Sequence, residues 1–174
     1  CGSSGESAEA PAEEGKTEVG TGSVGGEPVF DGDVGYQVTA VNKLSEKLPA
    51  EVQEAIDALS ASVDIPVDSA VWTADVKVTN NGSKAGQLCG DSSVVAIDQE
   101  GREYEMTGSI EGMIATLASQ AGKALVCMDI DPGFSRSGTI HFVTPKDSKI
   151  ESFRLYNSGD LDDVLGDTYV VIKR

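Results

Sequence analysis

The chain of 174 residues is poor in cations, with 13 lysines and arginines against 29 aspartates and glutamates, and its net charge is −16. Proteins that bind nucleic acids need cations to neutralise the phosphates, so this composition argues against such a role. An anionic membrane surface would also repel the chain. We therefore expect no nucleic-acid partner, and any attachment to a membrane must be covalent or apolar.

Long apolar runs and an initiating methionine are also missing. No stretch approaches the roughly 18 consecutive apolar residues of a transmembrane helix, and the methionines all lie in the second half of the chain. The sequence begins instead with Cys1, followed by small residues. This start is typical of a chain whose leader has been removed.

Histidine occurs once, as His141, so a zinc site of three histidines is excluded. In TIHFVTP, strand alternation separates His141 from Ile140 and Phe142, and we expect it on a solvent-facing sheet surface. A hydrolase that pairs His141 with Ser135 or Ser137 is the alternative. However, GFSRSG has serine where the nucleophile motif requires its second glycine. We therefore predict no enzymatic activity and no cofactor.

Aspartates cluster in SGDLDDVLGD, and carboxylate oxygens are the ligands that calcium prefers. Two other segments, starting at Asp31 and Asp129, resemble the start of a calcium loop. Their twelfth positions hold Asn42 and Ile140 rather than the required glutamate. A solvated loop is the simpler interpretation of the cluster, so we predict no metal. The candidates for a loosely held ion are Asp160, Asp162, Asp163 and Asp167.

The three cysteines fall into two groups. Cys1 stands apart at the start, whereas Cys89 and Cys127 lie in the part predicted to fold. In an exported protein such a pair predicts a disulfide, which would stabilise the fold by about 4 kcal/mol. In a cytosolic protein the same two residues would be free buried thiols.

The first 28 residues contain five glutamates before position 20 and only Val19 and Val24 as sizeable apolar residues. Such a segment cannot bury enough apolar surface to offset the entropy of ordering. We therefore predict a disordered acidic tether over 1–33 and one folded domain over 34–174. Cys1 followed by Gly-Ser-Ser-Gly is typical of mature bacterial lipoproteins, whose cysteine carries acyl chains such as palmitate. An expression tag is the alternative explanation.

Alternating apolar and polar residues predict about seven or eight short strands. The clearest is VWTADVKVTNNG, which has one apolar and one polar face and ends in an Asn-Gly turn. Further strands are predicted in GYQVTAV, SSVVAID, the segment after DQEGREY, KALVCMDI, TIHFVTP, SKIESFRLYN and TYVVIKR. DPGFSRSG is interpreted as a loop. The predicted core comprises Trp72, Val76, Val78, Val95, Ile97, Val126, Ile140, Phe142, Phe153, Leu155 and Val171.

Two segments have helical periodicity. LPAEVQEAIDALSASV, over 48–63, has Pro49 at the first helical position and apolar residues on one side. SIEGMIATLASQA, over 109–121, predicts a second helix. Since strands and helices do not alternate regularly, the pattern favours a mainly β protein: an antiparallel β-sandwich with two short inserted helices.

The order of VTNNG, DQEGREY and DPGFSRSGTIHFVTPKDSKIESFRLYN resembles one family. These are the immunoglobulin-like (telokin-like) domains of unknown function in Gram-positive lipoproteins, related to a small secreted mycobacterial antigen. The resemblance covers 34–174. It is carried by a PG-x-x-x-x-G-x-I-x-F-x-x-P element, matched by Pro132, Gly133, Gly138, Ile140, Phe142 and Pro145. It implies an exported immunoglobulin-like sandwich with no established enzymatic role.

The expected function is therefore that of a lipoprotein held on the extracellular face of a Gram-positive membrane through a lipid on Cys1. Its sandwich would bind an envelope or host component without catalysis. The expected contacts are sheet edges or the helices. The stripe of Met113, Ile114 and Leu117 is a candidate contact, although core packing is the simpler interpretation of it. The alternative is an accessory protein of an envelope transport or sensing system that binds a small ligand or metal ion.

Overall fold

The computed structural model describes residues 15–44, 50–58, 65–88, 94–105, 128–157 and 167–174. These residues contain eleven strands and one helix, α1 (Ala50–Ala58). The strands are β1 (Thr17–Ser23), β2 (Val29–Asp31), β3 (Val34–Leu44), β4 (Ser69–Asn80), β5 (Gly86–Leu88), β6 (Val94–Asp98), β7 (Glu103–Glu105), β8 (Met128–Ile130), β9 (Ser135–Pro145), β10 (Ile150–Tyr156) and β11 (Thr168–Lys173). Three of them, β1, β2 and β5, are additional to those predicted from the sequence.

Two sheets form a sandwich. One has five strands in the order β1-β11-β10-β6-β7, and the other has four in the order β2-β3-β4-β9. β5 and β8 form a separate pair. All the pairs are antiparallel except β1 with β11, which is parallel. The predicted immunoglobulin-like β-sandwich is therefore confirmed.

The core lies between the two sheets and takes alternate residues from their strands. On β4 it receives the even-numbered residues from Ala70 to Val78, as the alternation predicts. Phe142 of the four-stranded sheet meets Phe153 of the five-stranded sheet, with ring centroids 6.0 Å apart. The indole Nε1 of Trp72 donates a hydrogen bond to Thr144 Oγ1 at 3.0 Å, which satisfies the one polar atom of this buried ring.

Val95, Ile97 and Val171 of the predicted core are buried, but they belong to a second cluster of the core. They do not point into the space between the sheets, which receives their sequence neighbours. They pack with Tyr156 and Tyr169 on the opposite face of the five-stranded sheet. Because β6 and most of β11 are buried on both faces, these two strands are apolar at almost every position, and periodicity cannot indicate which of their residues face inward. Val126 of the predicted core lies outside the described residues.

The predicted boundary between tether and domain needs correction, because β1 and β2 belong to the sandwich. β1 pairs with β11 along its whole length, and the backbone N–H of Val24 donates to the carbonyl of Lys173 at 2.8 Å. Gly22 allows Val29 to pack closely, since a Cβ there would lie 2.5 Å from Val29 Cγ2. The described part of the domain thus reaches back to residue 15, and residues 1–14 lie outside it. β1 could not be predicted from hydrophobic periodicity, because it is a polar edge strand that backbone pairing with β11 holds in place.

The helix α1 lies within the predicted 48–63 segment, and the predicted helix over 109–121 lies outside the described residues. In the part of the chain that the structure describes, no helix is long and apolar enough to cross a membrane.

The segment DPGFSRSG is only partly a loop. Its turn contains Gly133, with a φ of +81°, and from Ser135 onward it is already strand β9.

Candidate functional site

The outward face of the four-stranded sheet carries a ladder of polar side chains on β4 and β9. Even-numbered residues of both strands face the core, so the odd-numbered residues face outward. They form four directly opposed pairs, which we call the hydroxyl strip: Thr79–Ser135, Lys77–Ser137, Asp75–Thr139 and Thr73–His141. Each pair includes a serine or threonine hydroxyl.

Two hydrogen bonds fix side chains of the strip. The hydroxyls of Thr79 and Ser135 lie 2.8 Å apart, and Thr139 Oγ1 donates to Asp75 Oδ1 at 2.7 Å. Lys77 and Ser137 lie between these two pairs and are both exposed. Cross-strand pairs of this kind stabilise a sheet and hold side chains in defined positions. The strip is thus an ordered polar surface with an accessible centre.

At the other end of the strip, His141 is buried, with a relative exposure of 2%. The prediction of a solvent-facing histidine was therefore wrong. Alternation does place His141 on the sheet face opposite to that of Ile140 and Phe142. This part of the outward face, however, is buried too. Its neighbours on β4, Val71 and Thr73, are 0% and 7% exposed.

Burial lowers the pKa of His141 below its usual value, although the carboxylate of Asp75 acts in the opposite direction. The ring is therefore neutral at physiological pH. Within the described part of the chain, the buried Nδ1 atom has no hydrogen-bond partner. Ser137 lies four residues away along the same strand, about 14 Å at the usual rise per residue. The structure therefore does not bring His141 within hydrogen-bonding reach of Ser137, and Ser135 lies farther still.

An aromatic ring lies at the exposed end of the same face. Phe30 on β2 pairs with Gly35 on β3, and Gly35 pairs with Thr79 on β4. The ring covers Gly35, because a Cβ at that position would lie 2.8 Å from Phe30 Cε1. Phe30 remains 43% exposed. One row across the sheet thus presents an aromatic ring followed by the hydroxyls of Thr79 and Ser135.

A second polar group, the Asp98 cluster, comprises Asp98, Arg102, Tyr104 and Ser148. Asp98 Oδ1 accepts hydrogen bonds from the backbone N–H groups of Glu100 and Arg102, both at 2.9 Å. Asp98 Oδ2 accepts from Arg102 Nε at 2.7 Å and from Tyr104 Oη at 3.0 Å. Arg102 Nη2 also donates to Ser148 Oγ at 3.0 Å, which joins the β6–β7 turn to the β9–β10 turn.

Burial alone would raise the pKa of Asp98, but the hydrogen bonds from Arg102, Glu100 and Tyr104 outweigh burial and lower it. Both carboxylate oxygens are fully engaged by these donors. The Asp98 cluster therefore fastens two turns together and leaves the carboxylate little capacity to bind a ligand.

The described residues contain no group of three or more histidines, cysteines, aspartates or glutamates placed to hold a metal ion. Asp167 is exposed and lies immediately before β11. The other predicted site residues lie outside the described residues: Cys1, Cys89, Cys127, Asp160, Asp162, Asp163, Met113, Ile114 and Leu117. Lipidation, the disulfide and the ion site therefore stay predictions.

The β4 half of the hydroxyl strip was visible in the sequence, where Thr73, Asp75, Lys77 and Thr79 alternate with apolar residues. The β9 half was missed because Ser135–Gly138 were assigned to a loop. The signal that could have revealed it is the spacing of Ser135, Ser137 and Thr139 at every second position.

Residues 25–160 match the profile of DUF4352, a domain of unknown function. The chain belongs to this family. The match begins just after β1 and includes β4 and β9, so the hydroxyl strip lies within the DUF4352 region. No curated protein matches the sequence.

Three solved structures share the fold of this DUF4352 protein. The yjhA protein of Bacillus subtilis is 11% identical, with a TM-score of 0.53 over 89% of this chain and 98% of that chain. The secreted protein MPT63 of Mycobacterium tuberculosis is 16% identical, with a TM-score of 0.51 over 88% and 96%. The predicted lipoprotein ycdA of Bacillus subtilis strain 168 is 15% identical, with a TM-score of 0.52 over 85% of this chain but only 38% of that chain.

The resemblance drawn from the DPGFSRSG and TIHFVTP segments is thereby confirmed. The family matches, and the similar folds include a secreted mycobacterial protein and a predicted lipoprotein. At these identities the similarity establishes a common sandwich fold. Because sandwich folds carry many activities, the fold does not specify a ligand.

Proposed function

We propose that this DUF4352 protein is a lipid-anchored component of the bacterial envelope whose sandwich binds another envelope or host component without catalysis. The observation that carries the proposal is the hydroxyl strip, an ordered polar surface with Lys77 and Ser137 exposed at its centre. The proposed anchor is a lipid on Cys1, and the proposed location is the extracellular face of the cell membrane.

The composition of the chain supports an anchor of this kind. The net charge of −16 disfavours electrostatic attachment to anionic lipids, so a lasting hold requires buried acyl chains. Cys1 followed by small residues provides the site for them. The similarity to a secreted protein and to a predicted lipoprotein is consistent with an envelope location.

The contrast between the two polar groups of the domain supports the strip as the contact surface. The carboxylate of Asp98 is buried and occupied by four donors from its own chain. The exposed hydroxyl of Ser137 and the exposed ammonium of Lys77 can instead exchange water for a partner at little cost. We therefore propose that β4 and β9, rather than the turns, meet the partner.

Photocrosslinking from position 137 tests this proposal. A photoreactive amino acid replaces Ser137 in the full chain, expressed in a Gram-positive host at the cell surface. We expect adducts with envelope or host material several times more abundant than those from the same amino acid at position 21. Thr21 is the matched control because it is also exposed on a strand, β1 of the other sheet. Equal yields from both positions, or no adducts from 137, would refute the strip as the contact surface.

A further inference from the structure

We infer that the ligand of the hydroxyl strip is a neutral glycan. This inference rests on the proposed function and specifies the chemistry of its partner. It draws on three features of the described residues: the repeated hydroxyl pairs, the exposed ring of Phe30 and the charge balance of the strip.

The hydroxyl pairs match the hydrogen-bonding pattern of a polyhydroxylated chain. A serine or threonine hydroxyl both donates and accepts, as does each hydroxyl of a sugar. Successive pairs repeat about every 7 Å along the strands, and the two members of a pair lie about 5 Å apart. The pairs from Thr79–Ser135 to Asp75–Thr139 thus offer a row of groups to an extended chain. Their existing hydrogen bonds reduce the entropy lost on binding.

The ring of Phe30 supplies an apolar platform on the same face. It lies over Gly35, in the row that continues to Thr79 and Ser135. The C–H face of a sugar ring can pack on such a ring while its hydroxyls reach the strip, combining apolar burial with weak C–H contacts. Because Gly35 has no side chain, Phe30 is held close to the sheet instead of projecting away from it.

The charges of the strip favour a neutral ligand. Lys77 and Asp75 balance each other in a chain whose net charge is −16. An anionic polymer would be repelled by the rest of the chain, and a cationic one would find no group of carboxylates on the strip. A protein partner would be expected to meet an apolar centre, whereas the centre of the strip is the exposed polar pair Lys77 and Ser137. The large exposed apolar side chains near the strip, Phe30 and Phe134, lie at its Thr79–Ser135 end.

Affinity electrophoresis of the full chain tests the inference. The native gels contain dextran, mannan or hydroxyethyl cellulose as neutral polysaccharides, or polygalacturonate as an anionic one. Two variants change the strip, Ser137→Val and Lys77→Gln, and both positions are exposed, so neither substitution removes a core contact. Thr21→Val on β1 is the matched control, because it makes the same kind of change on the other sheet.

We expect at least one neutral polysaccharide to slow the migration of the unchanged chain. Ser137→Val should raise the apparent dissociation constant for that polysaccharide at least fivefold. Thr21→Val should leave it unchanged. The inference is overturned if no neutral polysaccharide slows the chain, if only polygalacturonate does, or if Ser137→Val and Thr21→Val behave alike. If crosslinks from position 137 persist while the gels show no retardation, the glycan is excluded and the contact surface stands. If both experiments fail, the proposed function fails too.

Discussion

Removal of residues 1–33 should abolish the cooperative unfolding transition of the domain, whereas removal of residues 1–14 should leave the free energy of unfolding unchanged. The longer deletion removes β1 and β2. It would expose the edge of β11 to solvent and remove its backbone pairing with residues 17–23. It would also remove Val24 and Val29, which pack against the core, and Asp31, which accepts a hydrogen bond from Thr168.

The expected loss is about 5 kcal/mol or more, because several hydrogen bonds at about 1 kcal/mol each and two half-buried valines disappear together. Such a loss is comparable to the whole stability of a small domain. Denaturant unfolding followed by tryptophan fluorescence measures it, since Trp72 is buried in the core. The shorter deletion is the control, because it removes none of the described contacts. Equal midpoints for both deletions would restore the tether boundary at residue 33.

Replacement of Asp98 by alanine should destabilise the domain by about 3–5 kcal/mol, as expected when a buried charged acceptor is removed from its donors. The change would leave four donors without their acceptor: the N–H groups of Glu100 and Arg102, Arg102 Nε and Tyr104 Oη. It would also loosen the link between the β6–β7 turn and Ser148. Urea unfolding at neutral pH measures the effect.

Two further variants make this prediction specific. Asp98→Asn retains an oxygen acceptor but no charge, so its loss should be intermediate. Glu100→Gln removes an exposed carboxylate that lies 3.4 Å from Arg102 Nη1, and its cost should be below about 0.5 kcal/mol. A loss for Asp98→Ala as small as that for Glu100→Gln would show that the cluster does not hold the turns together.

The lowered pKa of Asp98 also predicts a pH dependence for the domain. Since the folded state binds the proton of Asp98 less readily than the unfolded state, its contribution to stability is fully present above the ordinary pKa of about 3.8. It is lost as the pH falls through the folded-state value. Asp98→Asn should lack this part of the acid sensitivity, which the same urea titrations at decreasing pH measure.

The local pattern of the sequence predicted those strands whose two faces differ. In VWTADVKVTNNG the apolar residues from Trp72 to Val78 reach the core, and the polar residues from Thr73 to Thr79 face outward, as the alternation predicts. Val71 is the exception, because it lies on the outward face and is buried there. The turn at Gly101, with a φ of +77°, was likewise visible in DQEGREY. Local pattern suffices where a strand has one apolar face or a turn needs a glycine.

The remaining features depend on contacts between distant segments. The choice between Val94 and Val95 as the inward residue is invisible when both faces of a strand are buried. His141 is buried because of what surrounds the outward face, not because of its own strand. β1 forms a strand because it pairs with β11, which lies at the far end of the chain.

The same reason explains how much of the candidate site could be predicted. The β4 half of the hydroxyl strip follows from alternation alone. The β9 half cannot be assigned without the strand register, which places Ser135 opposite Thr79 and Thr139 opposite Asp75. The position of Phe30 beside the strip likewise depends on the pairing of β2 with β3. A sequence can indicate polar faces, but only the assembled sheet shows which of them join into one surface.

The proposal of a surface-anchored module depends on acylation of Cys1, and the intact mass of the native protein tests it most directly. The protein is extracted with detergent from the membranes of the organism that makes it, and its mass and that of its first peptide are measured. We predict that Cys1 carries a diacylglyceryl group, which adds its mass to the first peptide alone. Recovery of the chain from the cytosol with a free, unmodified Cys1 thiol would contradict the proposal.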